Sequence, residues 1–246
     1  MPIKQVLLGS QILHGEDRAG QWIVEKLTGW YDAPASKGDG GERPLADGDY
    51  PYPMNYGPRM VTVDGILFHK GRGSAVHAME ALAAGARLTD HRLAVTDYGM
   101  TRYAVVKALG VDYTPVTRET IRYQIRLKAV DPFKYGEEYA VPGSSGSPAS
   151  LFHRGTVPAW PVVTVTGTSA GGYTLSLNGR SVAVTRALAS GSPHTIDFRS
   201  GILRVGGSVA RSGFGTANFS PINPGLPQNM STTAGTLSVR YSDTFV

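Results

Sequence analysis

A chain of 246 residues with 41% hydrophobic side chains can bury a core in one large domain or two small ones. Its 31 glycines and 16 prolines favour turns over long helices, and the absence of cysteine excludes disulfides, thiolate metal sites and cysteine nucleophiles. The formal charge of +5 is unevenly spread: residues 1–147 hold 17 Lys+Arg against 17 Asp+Glu, and residues 148–246 hold 7 against 2.

All seven lysines fall in the first part. Such a shift in composition marks a domain boundary. No run of Lys and Arg interleaved with aromatics occurs, so the pattern of a sequence-specific nucleic-acid binder is absent. The start, Met1-Pro-Ile-Lys-Gln-Val-Leu-Leu, lacks a basic segment followed by a sustained apolar run. No stretch approaches the ~20 apolar residues of a membrane span. The expectation is a protein made and folded in the cytoplasm, with no membrane anchor.

In chain order, residues 22–27 (Trp-Ile-Val-Glu-Lys-Leu) alternate poorly and give only a weak strand signal. Residues 34–56 form a long polar loop, and a loop of that length in a compact domain is functional, ordered by a partner, or a disordered surface loop. Residues 59–68 are β-branched with a break at Gly65, predicting a strand or two with a turn or bulge. A helix follows, with Ser74 as its cap, an apolar stripe of Val76, Met79, Leu82 and Ala83, and Gly85 as its stop. Residues 122–130 alternate most cleanly. Tyr123, Ile125, Leu127 and Ala129 share one face, and Arg122, Gln124, Arg126 and Lys128 share the other. That basic face is either solvated or set against an acidic partner or a lumen.

Residues 141–150, Val-Pro-Gly-Ser-Ser-Gly-Ser-Pro-Ala-Ser, read as a linker. The division is therefore residues 1–140, the linker 141–150, and residues 151–246. After the linker every signal is β. Strands are expected within residues 157–167, 173–177, 180–184, 195–198, 202–205 and 236–241. Asn178-Gly179 between two alternating runs is a strong hairpin signal, because both residues tolerate positive φ. Short strands at this spacing with no helix between them imply an antiparallel sandwich. The fold class expected is mainly β: a barrel or sandwich with one packed α-helix, then an antiparallel β-sandwich.

Chemistry-bearing patterns are absent or fail on context. Gly167-Thr-Ser-Ala-Gly171 has the letters of a serine-hydrolase elbow, but that motif needs a strand entering a helix, and here it joins two strands. Gly71-Arg-Gly73 lacks the third glycine of a dinucleotide loop. The six histidines, at 14, 69, 77, 91, 153 and 194, show no metal-binding spacing. Asp47 and Asp49 lack the rest of a calcium ligand ladder. Residues 148–246 offer only Asp197 and Asp243 for a glycosidase pair. No enzyme, metal or cofactor is expected.

Four segments together resemble the distal tail proteins of siphophages, especially those of phages infecting actinobacteria. They are Gly29-Trp-Tyr-Asp-Ala-Pro34, followed by Asp47-Gly-Asp-Tyr-Pro; Ala129-Val-Asp-Pro-Phe-Lys-Tyr-Gly136; Asn178-Gly-Arg with Ile196-Asp-Phe; and the terminal Val239-Arg-Tyr-Ser-Asp-Thr-Phe-Val246. The resemblance implies a tail-tube-like, ring-forming first domain and a galectin-like second one. It further implies a minor tail protein of the virion, in a hexameric ring joining the tail tube to the tip or baseplate complex. Its partners would be the tail tube protein, the hub and receptor-binding proteins, and the tape measure protein, with DNA passing only in transit. Galectins hold sugar with clustered His, Asn, Arg and Trp. Here His153, His194, Trp160 and Asn178-Gly-Arg180 do not assemble such a set, so the galectin likeness concerns fold alone.

Within such a ring, residues 34–56 are the expected contact arm. Tyr50, Tyr52 and Tyr56 are its candidate contact residues, because tyrosine joins apolar area to a hydrogen-bonding tip. The competing reading is a carbohydrate- or receptor-binding β-sandwich module.

Overall fold

The computed structural model describes residues 3–37, 41, 45, 47, 55–69, 74–86 and 89–246. The chain forms two compact units, Met1–Lys134 with Val246, and Tyr135–Phe245.

The first unit is an antiparallel barrel of seven strands: β1 (Ile3–Leu8), β2 (Gln11–Glu16), β3 (Gly20–Thr28), β6 (Arg59–His69), β7 (His91–Asp97), β8 (Met100–Pro115) and β9 (Thr120–Ala129). Between β3 and β6, the short β4 (Ser36–Lys37) and β5 (Asn55–Tyr56) pair with each other. The helix α1 (Ser74–Ala86) lies between β6 and β7. The ladder runs β8-β7-β1-β2-β3-β6-β9 and closes because β9 pairs back onto β8. The length of β8 makes closure possible. Met100 to Val106 pair with β7, and Lys107 to Pro115 pair with β9, with a bulge at Leu109. The β2–β3 seam is short, joining Gly15 to Trp22 and Glu16 to Gln21.

Strand β9 alternates as its sequence predicts. Ile121, Tyr123, Ile125, Leu127 and Ala129 are buried, while Arg122, Gln124 and Arg126 are exposed and Lys128 is half-buried. Poor alternation in residues 22–27 also has a cause: the β3 register shifts between Val24 and Lys26, so Trp22, Val24 and Leu27 all point inward. The expected break at Gly65 does not occur. Strand β6 pairs with β9 without interruption, and the glycine instead makes room for the Tyr123 ring, 2.5 Å from where a Cβ would stand. Tyr123 then donates to the Leu13 carbonyl at 2.8 Å and meets Trp22 edge-on.

The helix forms where expected, but its buried stripe is Ala75, Met79, Leu82 and Ala86. Val76 is exposed and Ala83 half-buried, so the stripe is rotated from the expected one. Gly85 lies in the last turn and does not end the helix. The expected cap by the Ser74 side chain lies outside what the structure describes. No helix among the described residues is long and apolar enough to cross a membrane.

The second unit is a sandwich of two antiparallel sheets. One has the order β17-β16-β15-β12-β20-β10, the other β11-β19-β13-β14-β18. The strands are β10 (Lys134–Ser144), β11 (Ala149–Phe152), β12 (Val162–Thr166), β13 (Tyr173–Leu177), β14 (Arg180–Val184), β15 (His194–Asp197), β16 (Ile202–Val205), β17 (Ser208–Val209), β18 (Phe214–Ala217), β19 (Pro227–Thr232) and β20 (Thr236–Phe245). Leu151, Val163, Val165, Leu175, Ile196 and Val239 are among the side chains that fill the space between the sheets.

The segment 141–150 is not a linker. It comprises the end of β10, a tight turn and the start of β11. Ser144 and Ser147 exchange backbone hydrogen bonds of 2.7 and 3.0 Å, Gly146 takes a φ of 86°, and Ala149 is fully buried. Gly, Ser and Pro serve a reverse turn there as readily as a flexible tether. The division between the units falls earlier, at Lys134.

The Asn178-Gly179 hairpin forms as predicted, with φ of 54° and 72°. Asn178 also binds the Gln228 side chain at 2.6 Å and the Pro221 carbonyl at 3.0 Å, which ties a later loop to the turn. Nothing lies within 4 Å of a Cβ placed on Gly179, so a side chain there meets only backbone strain. Gly179→Val is expected to cost about 1–3 kcal/mol. An unchanged thermal midpoint would contradict that strain.

Candidate interface on the barrel

The loop after β3 is held by two buried cations. Arg59 is the first residue of β6 and shares the inward parity of Val61 and Val63. It is 1% exposed, and its guanidinium donates to four carbonyls: Gly29 at 2.8 Å, Trp30 at 3.3 Å, Asp32 at 2.7 Å and Pro132 at 2.9 Å. Lys134 donates to the Trp30 carbonyl at 2.9 Å, with its ammonium 5.7 Å from the centre of the Trp30 ring. Trp30 itself is buried. Gly29 has a φ of 79°, and a Cβ there would collide with the Met60 carbonyl. The segment is therefore fixed from both sides, and Tyr31 stands half-exposed on it, near the buried Asp97.

Burial pushes the Lys134 ammonium down to about 8, with repulsion from Arg59 and Arg102 adding to the effect. In an unfolded chain a lysine keeps its proton to about pH 10.4. Between those values the unfolded state holds more protons, so stability rises with pH. The penalty is fully present below about pH 8 and is relieved as pH climbs toward 10. Relative to Lys134→Met, which removes the titration, the wild type should gain stability from pH 8 to 10. A constant difference would show that the ammonium is not desolvated.

Outward residues of the barrel form cross-strand rows. Met60, Lys128 and Lys107 make one; Thr62, Arg126 and Gly110 the next; then Asp64, Gln124 and Asp112; then Ile66, Arg122 and Thr114. Arg126 pairs with Asp112 across rows at 2.9 Å, and Gln124 donates to Asp64 at 2.7 Å. A groove of about 410 Å³ opens at the acidic row, lined by Glu25, Asp64, Asp112, Tyr113, Arg122 and Gln124 among others. Met60, Phe68, Val105 and Leu109 are exposed on the same strands. The basic face of β9 thus belongs to a mixed surface with acidic and apolar members, a composition suited to specific protein contact.

Of the three expected contact tyrosines, Tyr56 is exposed and meets Phe133 edge-on at 6.2 Å. Tyr50 and Tyr52 lie outside the described residues, as do Asp49 and the Gly71–Gly73 run. The ends of the long loop are joined by the β4–β5 pairing and a 2.7 Å bond from Gly57 to the Ala35 carbonyl. The clamp was readable only as a polar residue at an inward position of an alternating strand, a signal easily lost at a strand end.

The residues weighed for chemistry in the second unit serve the fold. Gly167 and Ser169 lie in the turn between β12 and β13, where Ser169 bonds the Gly172 carbonyl. His153 is fully buried, its Nδ1 3.0 Å from the Asp243 carboxylate and its Nε2 2.7 Å from the Val157 carbonyl. Asp243 also accepts from the Arg154 amide at 2.8 Å and the Tyr139 hydroxyl at 3.2 Å. His194 is buried against Tyr173. Neither histidine reaches a ligand surface, and no group of three His, Asp or Glu among the described residues could hold a metal. Trp160 is exposed.

No protein-family model matches the chain, and neither does any curated protein. Solved structures do match. One is the SPP1 Dit (gp 19.1) protein, described as a paradigm of the hub adsorption apparatus in phages infecting Gram-positive bacteria. It aligns over 98% of this chain and 99% of its own with a TM-score of 0.78 at 15% identity. Two structures of the phage P2 baseplate in its activated conformation also match. The one with Ca gives a TM-score of 0.56 at 7% identity, covering 98% of both chains. The one with Sr gives 0.54 at 7% identity, covering 96% of this chain and 97% of that one. From end to end, the chain has the fold of a phage baseplate hub protein.

Proposed function

We propose that the chain is a non-enzymatic structural subunit of a bacteriophage tail tip, a distal tail protein of a siphovirus. Copies associate through the first unit into a ring, a hexamer, that joins the tail tube to the baseplate hub and receptor-binding proteins. The tape measure protein and then DNA pass through its centre, and the second unit is a galectin-like sandwich used for its shape. The observation that carries this reading is the end-to-end fold match to SPP1 Dit over both units. The mixed charged and apolar surface of the barrel supports head-to-tail contact, in which one patch meets a different patch on the next copy. The buried positions of His153, His194 and Asp243 support a role without catalysis.

The test is light scattering and negative-stain microscopy of the purified chain, alone and with tail-tube and tip proteins. Rings in either condition support the reading. A chain that stays monomeric alone and joins neither partner overturns it. The exposed Trp160 and Phe152 favour a carbohydrate- or receptor-binding module as the second reading, and glycan-array binding by the full chain discriminates.

A further inference from the structure

The five-stranded sheet of the second unit treats its two outer strands differently. At one edge, β11 pairs Phe152 with Pro227, which has no amide hydrogen to give, so the Phe152 N–H and C=O point away from the sheet. One side chain takes both. The buried Tyr241 hydroxyl accepts from the Phe152 amide at 3.2 Å and donates to its carbonyl at 3.1 Å. At the other edge, β18 has no strand beyond it. The Thr185 amide donates to the Gly213 carbonyl and the Asn218 amide to the Ser181 carbonyl, so residues 213 and 218 face β14. Phe214 and Ala217 lie just inside those positions, opposite Val184 and Val182, and turn their N–H and C=O outward. Among the described residues, no side chain closes these groups off as Tyr241 closes β11.

Open edges are commonly guarded by lysine, proline or a bulge. Residues 214–217, Phe-Gly-Thr-Ala, carry no charge and no proline, and one bulge opposite β14 interrupts them. The strand is firmly seated, because Phe214 meets Phe219 edge-on at 5.6 Å and Phe219 meets the buried Phe198 at 5.2 Å. Exposed arginines flank both ends. Arg211 stands just before β18, and the stem of Arg186 lies beside Gly213 with its guanidinium 3.5 Å from the Ser212 carbonyl. At the far end, Arg180 reaches the Phe219 carbonyl at 3.4 Å. The second unit has no lysine and four carboxylates, each engaged elsewhere. Glu137 accepts from Tyr139, Glu138 pairs with Arg240, Asp197 accepts from Ser200, and Asp243 holds His153. Among the described residues, none of the three flanking arginines has an ion-pair partner.

We propose that β18 is a docking edge for an extended, acidic peptide segment of a partner protein, which adds to this sheet as one more strand. The backbone of the segment bonds the outward groups of Phe214 and Ala217. Its carboxylates meet Arg186 and Arg211 at one end and Arg180 at the other. Charge selects this occupant. A second copy would present its own β18 with the same three arginines, and like charges brought together oppose that pairing. A polyanion without a peptide backbone would satisfy the arginines and leave the outward N–H and C=O groups unused. The bulge confines the added strand to a short segment. The assignment holds whether or not copies of the chain form a ring.

The experiment follows a fluorescent octapeptide of alternating Glu and Thr binding to the full chain, by anisotropy, with amide hydrogen exchange read at Phe214 and Ala217. Two comparison probes are the same peptide N-methylated throughout and one with Lys in place of Glu. The acidic peptide should bind and slow exchange at both amides, and each comparison probe should bind about tenfold more weakly or worse. Ala217→Pro removes an outward donor and no bond to β14, so it should weaken the acidic peptide about five- to tenfold. Arg186→Gln with Arg211→Gln should weaken it about tenfold and flatten its salt dependence. Equal binding of the N-methylated peptide shows a surface that reads charge alone and overturns the proposal. Equal binding of the lysine peptide overturns the choice of an acidic occupant. No binding of the acidic peptide at up to about 1 mM overturns the docking edge itself. If Ala217→Pro does not fold, the exchange rates at Phe214 and Ala217 in the wild type decide, and unchanged rates with bound peptide overturn the proposal.

Discussion

Arg59→Ala is expected to destabilise the barrel by about 3–5 kcal/mol. The guanidinium satisfies carbonyls of Gly29, Asp32 and Pro132, and shares that of Trp30 with Lys134. Hydrogen bonds from a charged donor are worth about 1.5–3 kcal/mol each, so losing two of the three shortest reaches this figure. Arg59→Lys should lose less, about half as much, because an ammonium cannot span the same fork of acceptors. Urea unfolding followed by tryptophan fluorescence is a direct probe, since Trp22 and Trp30 are both buried in this unit. A loss below about 1 kcal/mol in the alanine variant would mean that water replaces the side chain at the carbonyls.

Asp243→Ala is expected to cost the second unit about 3–5 kcal/mol. Its carboxylate gathers the His153 ring, the Arg154 amide and the Tyr139 hydroxyl, and it is 5% exposed. Removing it takes the carboxylate from a fully buried imidazole whose Nδ1 keeps only the Gly155 amide at 3.3 Å, and leaves the Arg154 amide without this acceptor. Asp243→Asn keeps the shape and one acceptor oxygen, so its loss should be roughly half as large. Calorimetry of the full chain measures both. If alanine and wild type unfold at the same temperature, the buried network contributes nothing net, as some buried ion pairs do.

Local sequence determined a good deal. The parity of β9, the Asn178-Gly179 turn and the run of short strands after residue 150 are all nearest-neighbour patterns, and each formed as read. So did the helix, because an apolar stripe at helical spacing needs only some core to face; which core rotated it toward Ala75 and Ala86. Strands β1, β2, β7 and β8 were not among the expected elements, although β7 buries Leu93, Val95 and Asp97 in strict alternation.

Tertiary structure decided the rest. Gly, Ser and Pro in residues 141–150 are compatible with a tether and with a turn; only the burial of Ala149 and Leu151 selects the turn. Gly65 was legible as a break, yet its reason is a tyrosine ring from a strand far along the chain. His153 and Asp243, 90 positions apart, become partners only once β20 is placed. Tyr31 and Tyr98 are ordinary surface tyrosines in the sequence, because neither the cations that clamp one nor the positive φ of the other is written in neighbouring residues. Patterns of period two or 3.6 report which face a side chain takes; which distant residue it meets there depends on how the chain closes on itself.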